Sequence, residues 1–541
     1  MMRFLSLIAV VFLNLSLNVR AEDTARDRAK ALIGAELAFG PSVFSGDEFP
    51  SCEFLKPGQM REQIGDYTFD VTFYNKNYVV VEKPSEAGRY GAVVKIKAED
   101  GSTYTRFRTL HKSPQRLGLF YDQIEGELKF PRGMLRQEEM LSRQHRVVND
   151  YIAFVIRRDI DRSHDFAILL AGLDEINPES SPVSQVESAL TKDRQWWLQL
   201  KRKLNGNDQR FTKEIVAPTI TDGLNGRVLR EGTCEQAGMK PDTAEKIDAV
   251  LAEWAENSDQ PFNACVARDG VVFFHKAYGS RNGSPITTET RHVVFSITKA
   301  LSGSLLMMFV DQGLIGLDDP VEKFLPEFQG AEVKTPATIH HLFTHTADME
   351  GHFTDFQSDL EHVYGEAYRY LAIGKQHKYN GTSLAIGTKI LEQMTGLTLP
   401  ELYKKYLFDP LGCESIESVD ASAMTWSNAC DLARIGQLLA NRGSYGNQRF
   451  FSEETFEKML PRKLDRLLGP DTEVTWGIGL TWFRGDGLSD RTIGHGSASS
   501  CTLRVDLEND LVITMTRATA GRNFRKYHPQ FIRAITDGIQ N

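Results

Sequence analysis

Beyond Ala21 the sequence holds no apolar run of the roughly 20 residues that a membrane-spanning helix needs. It has no C-x-x-C pair, no H-E-x-x-H helix and no Gly-rich phosphate loop, so the common zinc, redox and nucleotide motifs are missing. Basic residues never gather into a patch. Arg157-Arg158 and Lys201 to Lys203 sit among acids or on helical patterns, and the net charge of −9 is mild for 541 residues. Nothing here favours a nucleic-acid partner, which would require a clustered basic face. Cysteine is scarce: Cys52, Cys234, Cys265, Cys413, Cys430 and Cys501 are widely and irregularly spaced. The spacing leaves two readings open, disulfides of undetermined pairing or buried free thiols in a chain long enough to build its own core.

What is present begins with targeting. Met1-Met2-Arg3 is a short positive start, Phe4 to Val19 is almost wholly apolar, and Val19-Arg20-Ala21 offers small residues around a cut before Glu22. This pattern predicts a secretory signal peptide over 1–21, the alternative being an uncleaved anchor. The expected location is outside the cytoplasm, periplasmic or extracellular, with no stable membrane insertion after cleavage.

The remainder divides by pattern. Residues 22–222 read as an N-terminal α+β domain of unknown function. Phe69 to Val81 and Tyr90 to Lys97 are β-branched and aromatic around a turn at Pro84 to Gly88, while Glu138 to Arg157 and Val183 to Leu204 look helical. Trp196 and Trp197 in the latter read as a core-facing stripe. Residues 223–240, with Gly223 and Gly226 and little apolar periodicity, read as a linker. Residues 241–541 open with a helix over Pro241 to Asn257 and a hairpin of Phe262 to Ala267 with Val271 to Lys276. They close with strands at Thr502 to Asp506 and Leu511 to Thr516 and a helix over Phe524 to Ile539. That order lets both terminal helices pack on one antiparallel sheet.

The chemistry centres on Val293 to Gly303, VVFSITKALSG, which predicts a helix from near Ser296 to Gly313. Ser296 and Lys299 are three residues apart and share a face. A serine hydroxyl is a weak nucleophile until a base takes its proton, and a lysine amine can be that base when its surroundings disfavour the ammonium. Backbone N–H groups at a helix start can also hold an oxyanion. Taken alone, S-x-x-K is a weak pattern. The histidines His340, His341, His345 and His352 lack metal-ligand spacing, so no metal and no organic cofactor is expected.

Further segments follow in order: SITKALSGSLLMMFVDQGLIGLDDPVEKFLPEF, then IHHLFTHT from Ile339, LFDPLG from Leu407, Trp426 to Gly436 and Trp476 to Gly479. Together, over about Asp242 to Asn541, they resemble the serine β-lactamase-related and penicillin-binding-protein-like superfamily, which includes class C β-lactamases, D-alanyl-D-alanine carboxypeptidases and family VIII esterases. The resemblance implies an α+β fold of the β-lactamase/DD-peptidase type, a five-stranded antiparallel sheet flanked by helices plus a helical domain. It implies Ser296, Lys299 and Tyr379 as catalytic residues, with Asn380, His495 and Ala498 in substrate binding or the oxyanion hole. Two registers compete for the family's Y-x-N motif at Lys378-Tyr379-Asn380-Gly381. Anchoring on Gly387 puts Lys378 at the tyrosine position, whereas Glu392 with Thr395-Gly396 puts Tyr379 there. The second is preferred, and it replaces the motif's asparagine with Gly381. His495-Gly496-Ser497 matches the inner-strand H-x-G with Ser497 for glycine, and Ala347 and Asp348 replace the family's usual Ser-Gly. The expected activity is hydrolysis of a small ester, amide or peptide, esterase or D-Ala-D-Ala-peptidase-like ahead of β-lactamase. The alternative is a catalytically inactive binding protein of the cell envelope that kept the fold.

Overall fold

The computed structural model describes residues 36–39, 43–44, 52–55, 67–86, 88–98, 103–112, 215–281, 283–351 and 360–540. The signal-like segment, the two helical patterns of the N-terminal half with their tryptophans, and His352 lie outside these residues. The contacts separate two compact units. One holds residues 1–207 with 320–337 and 356–376, the other 208–319, 338–355 and 377–541.

In the first unit, β1 (Tyr67–Tyr74) pairs antiparallel with β2 (Gly88–Ala98), and β2 with β3 (Thr103–Lys112). Ala92, Val94 and Ile96 of β2 are buried while Lys95 and Lys97 are exposed, the period of two of a strand with one covered face.

In the second unit, α1 (Thr243–Glu256) precedes the hairpin of β4 (Phe262–Arg268) and β5 (Val271–Tyr278). Then come helices α2 (Thr298–Asp311), α3 (Thr382–Thr395) and α4 (Ala429–Ala440). The chain ends with β6 (Thr481–Gly485), β7 (Leu488–His495), β8 (Thr502–Asp506), β9 (Leu511–Arg517) and α5 (Phe524–Thr536). The strands form one sheet in the order β6-β7-β8-β9-β4-β5, antiparallel throughout, with Arg230–Glu231 added in parallel beside β5. Five of these strands, β7-β8-β9-β4-β5, are the sheet that the resemblance implies; β6 and Arg230–Glu231 extend it at its two edges.

Hydrophobic burial explains the layering. Ile247, Leu251 and Trp254 of α1 and Tyr527, Phe531 and Ile535 of α5 form one core with Phe262, Ala264, Ile513 and Met515 of the sheet. The Arg517 guanidinium lies over the Trp254 ring at 4.5 Å from its centroid, so a charge in this core rests on an aromatic face. Against β9, β8 and β4 packs α4, whose N-cap Asn428 accepts from the Asp431 N–H. Gly436 allows its approach, since a Cβ there would come within 2.6 Å of Val512.

A second close approach bears on the site. Gly479 has φ +71°, and a Cβ there would lie 2.0 Å from the carbonyl oxygen of Lys299. The chain of Trp476-Gly477-Ile478-Gly479 can press on α2 only because this residue has no side chain. Gly479→Ala should therefore cost about 1–3 kcal/mol of stability and displace Lys299. Urea unfolding checks this, with the midpoint falling in the variant.

Candidate active site

Ser296 sits in a 3₁₀ turn, Phe295–Ile297, that runs directly into α2. Phe295 holds φ +46°, a left-handed conformation that a bulky residue adopts only under constraint. The constraint is visible on both sides. Upstream, the Val294 N–H donates to Thr425 O at 2.8 Å; downstream, Thr298 Oγ1 donates to Thr425 Oγ1 at 2.8 Å.

Lys299 is 1% exposed. Its Nζ donates to Ser422 O at 2.9 Å and to Ser296 Oγ at 3.5 Å, and lies 4.7 Å from the centroid of the Tyr379 ring. The Ser422 carbonyl is itself held in place. Ser422 N donates to Asp420 Oδ1 at 2.7 Å, and Ser302 Oγ of α2 donates to Ala421 O at 2.8 Å. Serine, lysine and tyrosine thus converge from two separate stretches of chain.

Tyr379 is partly exposed and is framed by rings. His345 lies 4.7 Å away between centroids, Trp476 5.7 Å and His495 6.1 Å, and His377 packs on Trp476 at 4.9 Å. His345, at φ +59°, also holds the loop by its backbone, its carbonyl accepting the Lys378 N–H at 2.8 Å. Lys378 Nζ pairs with Glu350.

Asn380 does not sit as expected. It is 1% exposed, and its amide is spent inside the fold: Nδ2 donates to Lys378 O at 2.8 Å, while Oδ1 accepts from Ser383 N at 2.8 Å and Ser383 Oγ at 2.9 Å. It braces the first turn of α3. Gly381, the N-cap residue of α3, offers no side chain in its place.

His495 ends β7, with Nδ1 at 2.7 Å from Gly496 O. Burial, and secondarily Lys299, hold its pKa down at about 3, so the ring is neutral. The chain after it is latched to the strand before Ser296. Ser497 Oγ donates to Val294 O at 2.9 Å and Ser499 Oγ to Val293 O at 3.0 Å, with the exposed Ala498 between them. Ser497 is thus turned onto the backbone beside Ser296. Among the described residues His377 Nε2, Trp476 Nε1 and His495 Nε2 are buried without a hydrogen-bond partner. Of these, His377 was not singled out from the sequence; its only signal was its place two residues before Tyr379.

The model of the family described as Beta-lactamase matches residues 262–536, which contain this whole constellation. The chain belongs to the beta-lactamase family, a family of serine hydrolases. It is 36% identical over 92 residues to Esterase EstB of Burkholderia gladioli, a match covering 16% of this chain and 24% of that esterase. It is 20% identical over 369 residues to an Escherichia coli (strain K12) protein named for D-alanyl-D-alanine carboxypeptidase activity, covering 53% and 85% of the two chains. Penicillin-binding protein 4 of Amycolatopsis lactamdurans is 27% identical over 165 residues, 29% of this chain and 43% of that one. Among solved structures, a penicillin-binding protein homolog from Caulobacter crescentus aligns over 55% of this chain and 97% of its own, at 19% identity and a TM-score of 0.46.

Neutral buried histidines recur in this beta-lactamase-family unit. Burial pushes His292 and His528 to about 3 and His340 and His341 to about 4, as it does His495. The unfolded chain takes up these protons below about pH 6.5, whereas the native state does so only near 3–4. Stability therefore falls as pH drops through this window, by up to about 2 kcal/mol per histidine at pH 5. A urea midpoint that drops between pH 8 and pH 5 is the expected result; an unchanged midpoint would contradict neutral burial.

Proposed function

We propose that this protein is an exported serine hydrolase that cleaves small esters or D-Ala-D-Ala-like peptides through an acyl-enzyme on Ser296, with β-lactam hydrolysis subordinate. The observation that carries the reading is the convergence of Ser296 Oγ, the buried Lys299 amine and the Tyr379 ring within the family-matched residues. Export rests on the Met1 to Ala21 segment.

In this reading Ser296 Oγ attacks the substrate carbonyl while the Lys299–Tyr379 pair accepts its proton. The N–H groups of Ser296 and Ala498 hold the oxyanion, an arrangement favoured by the serine latches that draw the chain after His495 toward the nucleophile turn. As the tetrahedral intermediate collapses, the phenol returns the proton to the leaving oxygen or nitrogen. Water then enters, loses a proton to the same pair, and releases the acid from Ser296. The unpartnered polar atoms of His377, Trp476 and His495 are suited to neutral polar groups on the substrate.

Ester chemistry ranks above β-lactam chemistry because the Asn380 amide after Tyr379 is engaged inside the fold. Asn380 is consumed as a helix brace, and Gly381 cannot hold an acyl-amide group. The E. coli relative named for carboxypeptidase activity keeps the peptide reading beside the ester one.

A fluorophosphonate probe should add covalently to the native protein and not to Ser296→Ala, as read by intact mass. Unlabelled native protein would overturn the proposal. Tyr379→Phe should lower kcat on short-chain ester by about 10²–10⁴-fold with labelling geometry retained. Lys378→Ala should leave kcat largely intact, since Lys378 is paired with Glu350.

A further inference from the structure

The stretch that carries Tyr379 is tied along its length to the segment after a short helix, Ile339–Phe343. Lys378 N donates to His345 O at 2.8 Å and Asn380 N to His345 Nδ1 at 3.4 Å. Further on, Gly381 N donates to Gly351 O at 3.0 Å and Thr382 Oγ1 to Glu350 O at 2.7 Å. One residue, His345, thus holds the backbone on either side of Tyr379. Its ring also meets the phenol ring, with the centroids 4.7 Å apart, and packs edge-on against Trp476 at 5.4 Å and His377 at 5.7 Å. His345 is itself fixed. It is buried, and its neighbours Thr344 and Thr346 donate from their backbone N–H groups to His340 O and His341 O, both at 3.0 Å. The short helix lies close on α3, since a Cβ on Gly387 would come 2.4 Å from the Phe343 ring.

We propose, resting on the reading of Tyr379 as the proton carrier, that His345 is the positioning residue for that phenol. It holds the ring at Lys299 through the hydrogen bond to the Asn380 N–H and through ring packing. A phenol that takes and returns a proton has to stay in reach of Lys299 and Ser296, and small misplacements are costly to such a step. Tyr379 is partly exposed, so solvent alone would let it change rotamer. A neighbour whose own place is locked removes that freedom.

The bonds separate what the His345 backbone does from what its side chain does. A backbone N–H can only donate, so Nδ1 is the acceptor and the neutral ring carries its hydrogen on Nε2. Truncation to alanine leaves the Lys378 N–H on its carbonyl partner. It takes the acceptor from the Asn380 N–H and the packing from the phenol, the two contacts that bear on Tyr379. Asparagine restores one of them. Its Oδ1 stands as many bonds from the backbone as Nδ1 does, and asparagine tolerates the φ of +59° at this position.

The test is a double-mutant cycle of His345 and Tyr379 in the full chain, reading kcat on a short-chain ester per fluorophosphonate-titrated Ser296. Titration counts folded sites only, so a merely structural role would leave kcat per site unchanged. His345→Ala should lower kcat by about 10–100-fold with KM altered by less than about 3-fold. In the Tyr379→Phe background the same change should alter kcat by less than about 2-fold, since no phenol is left to position. His345→Asn should recover part of the loss. Where His345→Ala does not fold, His345→Asn carries the same cycle, with the several-fold loss of the ring contact alone. Native kcat per site in the His345 variant, or losses that multiply in the double variant, would overturn the proposal and leave Tyr379 its role. Native kcat in Tyr379→Phe alone would overturn both.

Discussion

A lysine side chain buried to 1% exposure is the constraint around which the catalytic unit is arranged. An amine removed from water is tolerated only when polar partners replace the solvent. Here they come from a carbonyl of the loop before Trp426, a hydroxyl one turn back on its own helix and the face of a phenol. These contacts tie Lys299 to the elements around it. The loop carrying Ser422 is accordingly stitched to α2 through Ser302 and braced by Asp420. Gly479 keeps its backbone clear so that the Trp476 segment can close over the same helix. The packing of the unit and the chemistry it supports therefore rest on the same contacts.

The turn that carries Ser296 is held by strain as well as by partners. A positive φ at Phe295 is costly for a bulky side chain, of the order of 1–3 kcal/mol. It persists because bonds on both sides determine the turn: Thr425, on a strand, pins Val294 and Thr298, and Ser497 and Ser499, in the connection between β7 and β8, pin Val294 and Val293. A serine in place of the usual glycine at 497 thus acquires a structural task, tying the strand edge to the nucleophile turn.

Much of this was legible in the sequence because it rests on local periodicity. The helix after Ser296, its stop at Gly313, the strand pairs at Phe262 and Thr502 and the terminal helices all follow from spacing and turn chemistry. Three features were not legible. The inward turn of Asn380 depends on which hydrogen bonds compete for its amide, and the serine at 383 that wins it carries no signature at a distance of three residues. The place of His377 beside Trp476 depends on residues a hundred positions apart, which periodicity cannot join. The edge strands β6 and Arg230–Glu231 were missed because short edge segments carry too few alternating residues to register.

The two registers around Tyr379 differ in what they place beside Lys299. Both place Asn380 within one position of the motif's asparagine, so residue identity alone does not separate them. Their physical contents differ. With Lys378 at the tyrosine position, a second lysine side chain would have to share the buried polar pocket that holds Lys299. In the structure Lys378 is instead neutralised by Glu350, while the phenol of Tyr379 turns its ring to Lys299. An aromatic face beside the amine offsets its desolvation, and a second amine would add to it. The ring beside Lys299 is thus that of Tyr379, and Gly381 opens the helix that follows it.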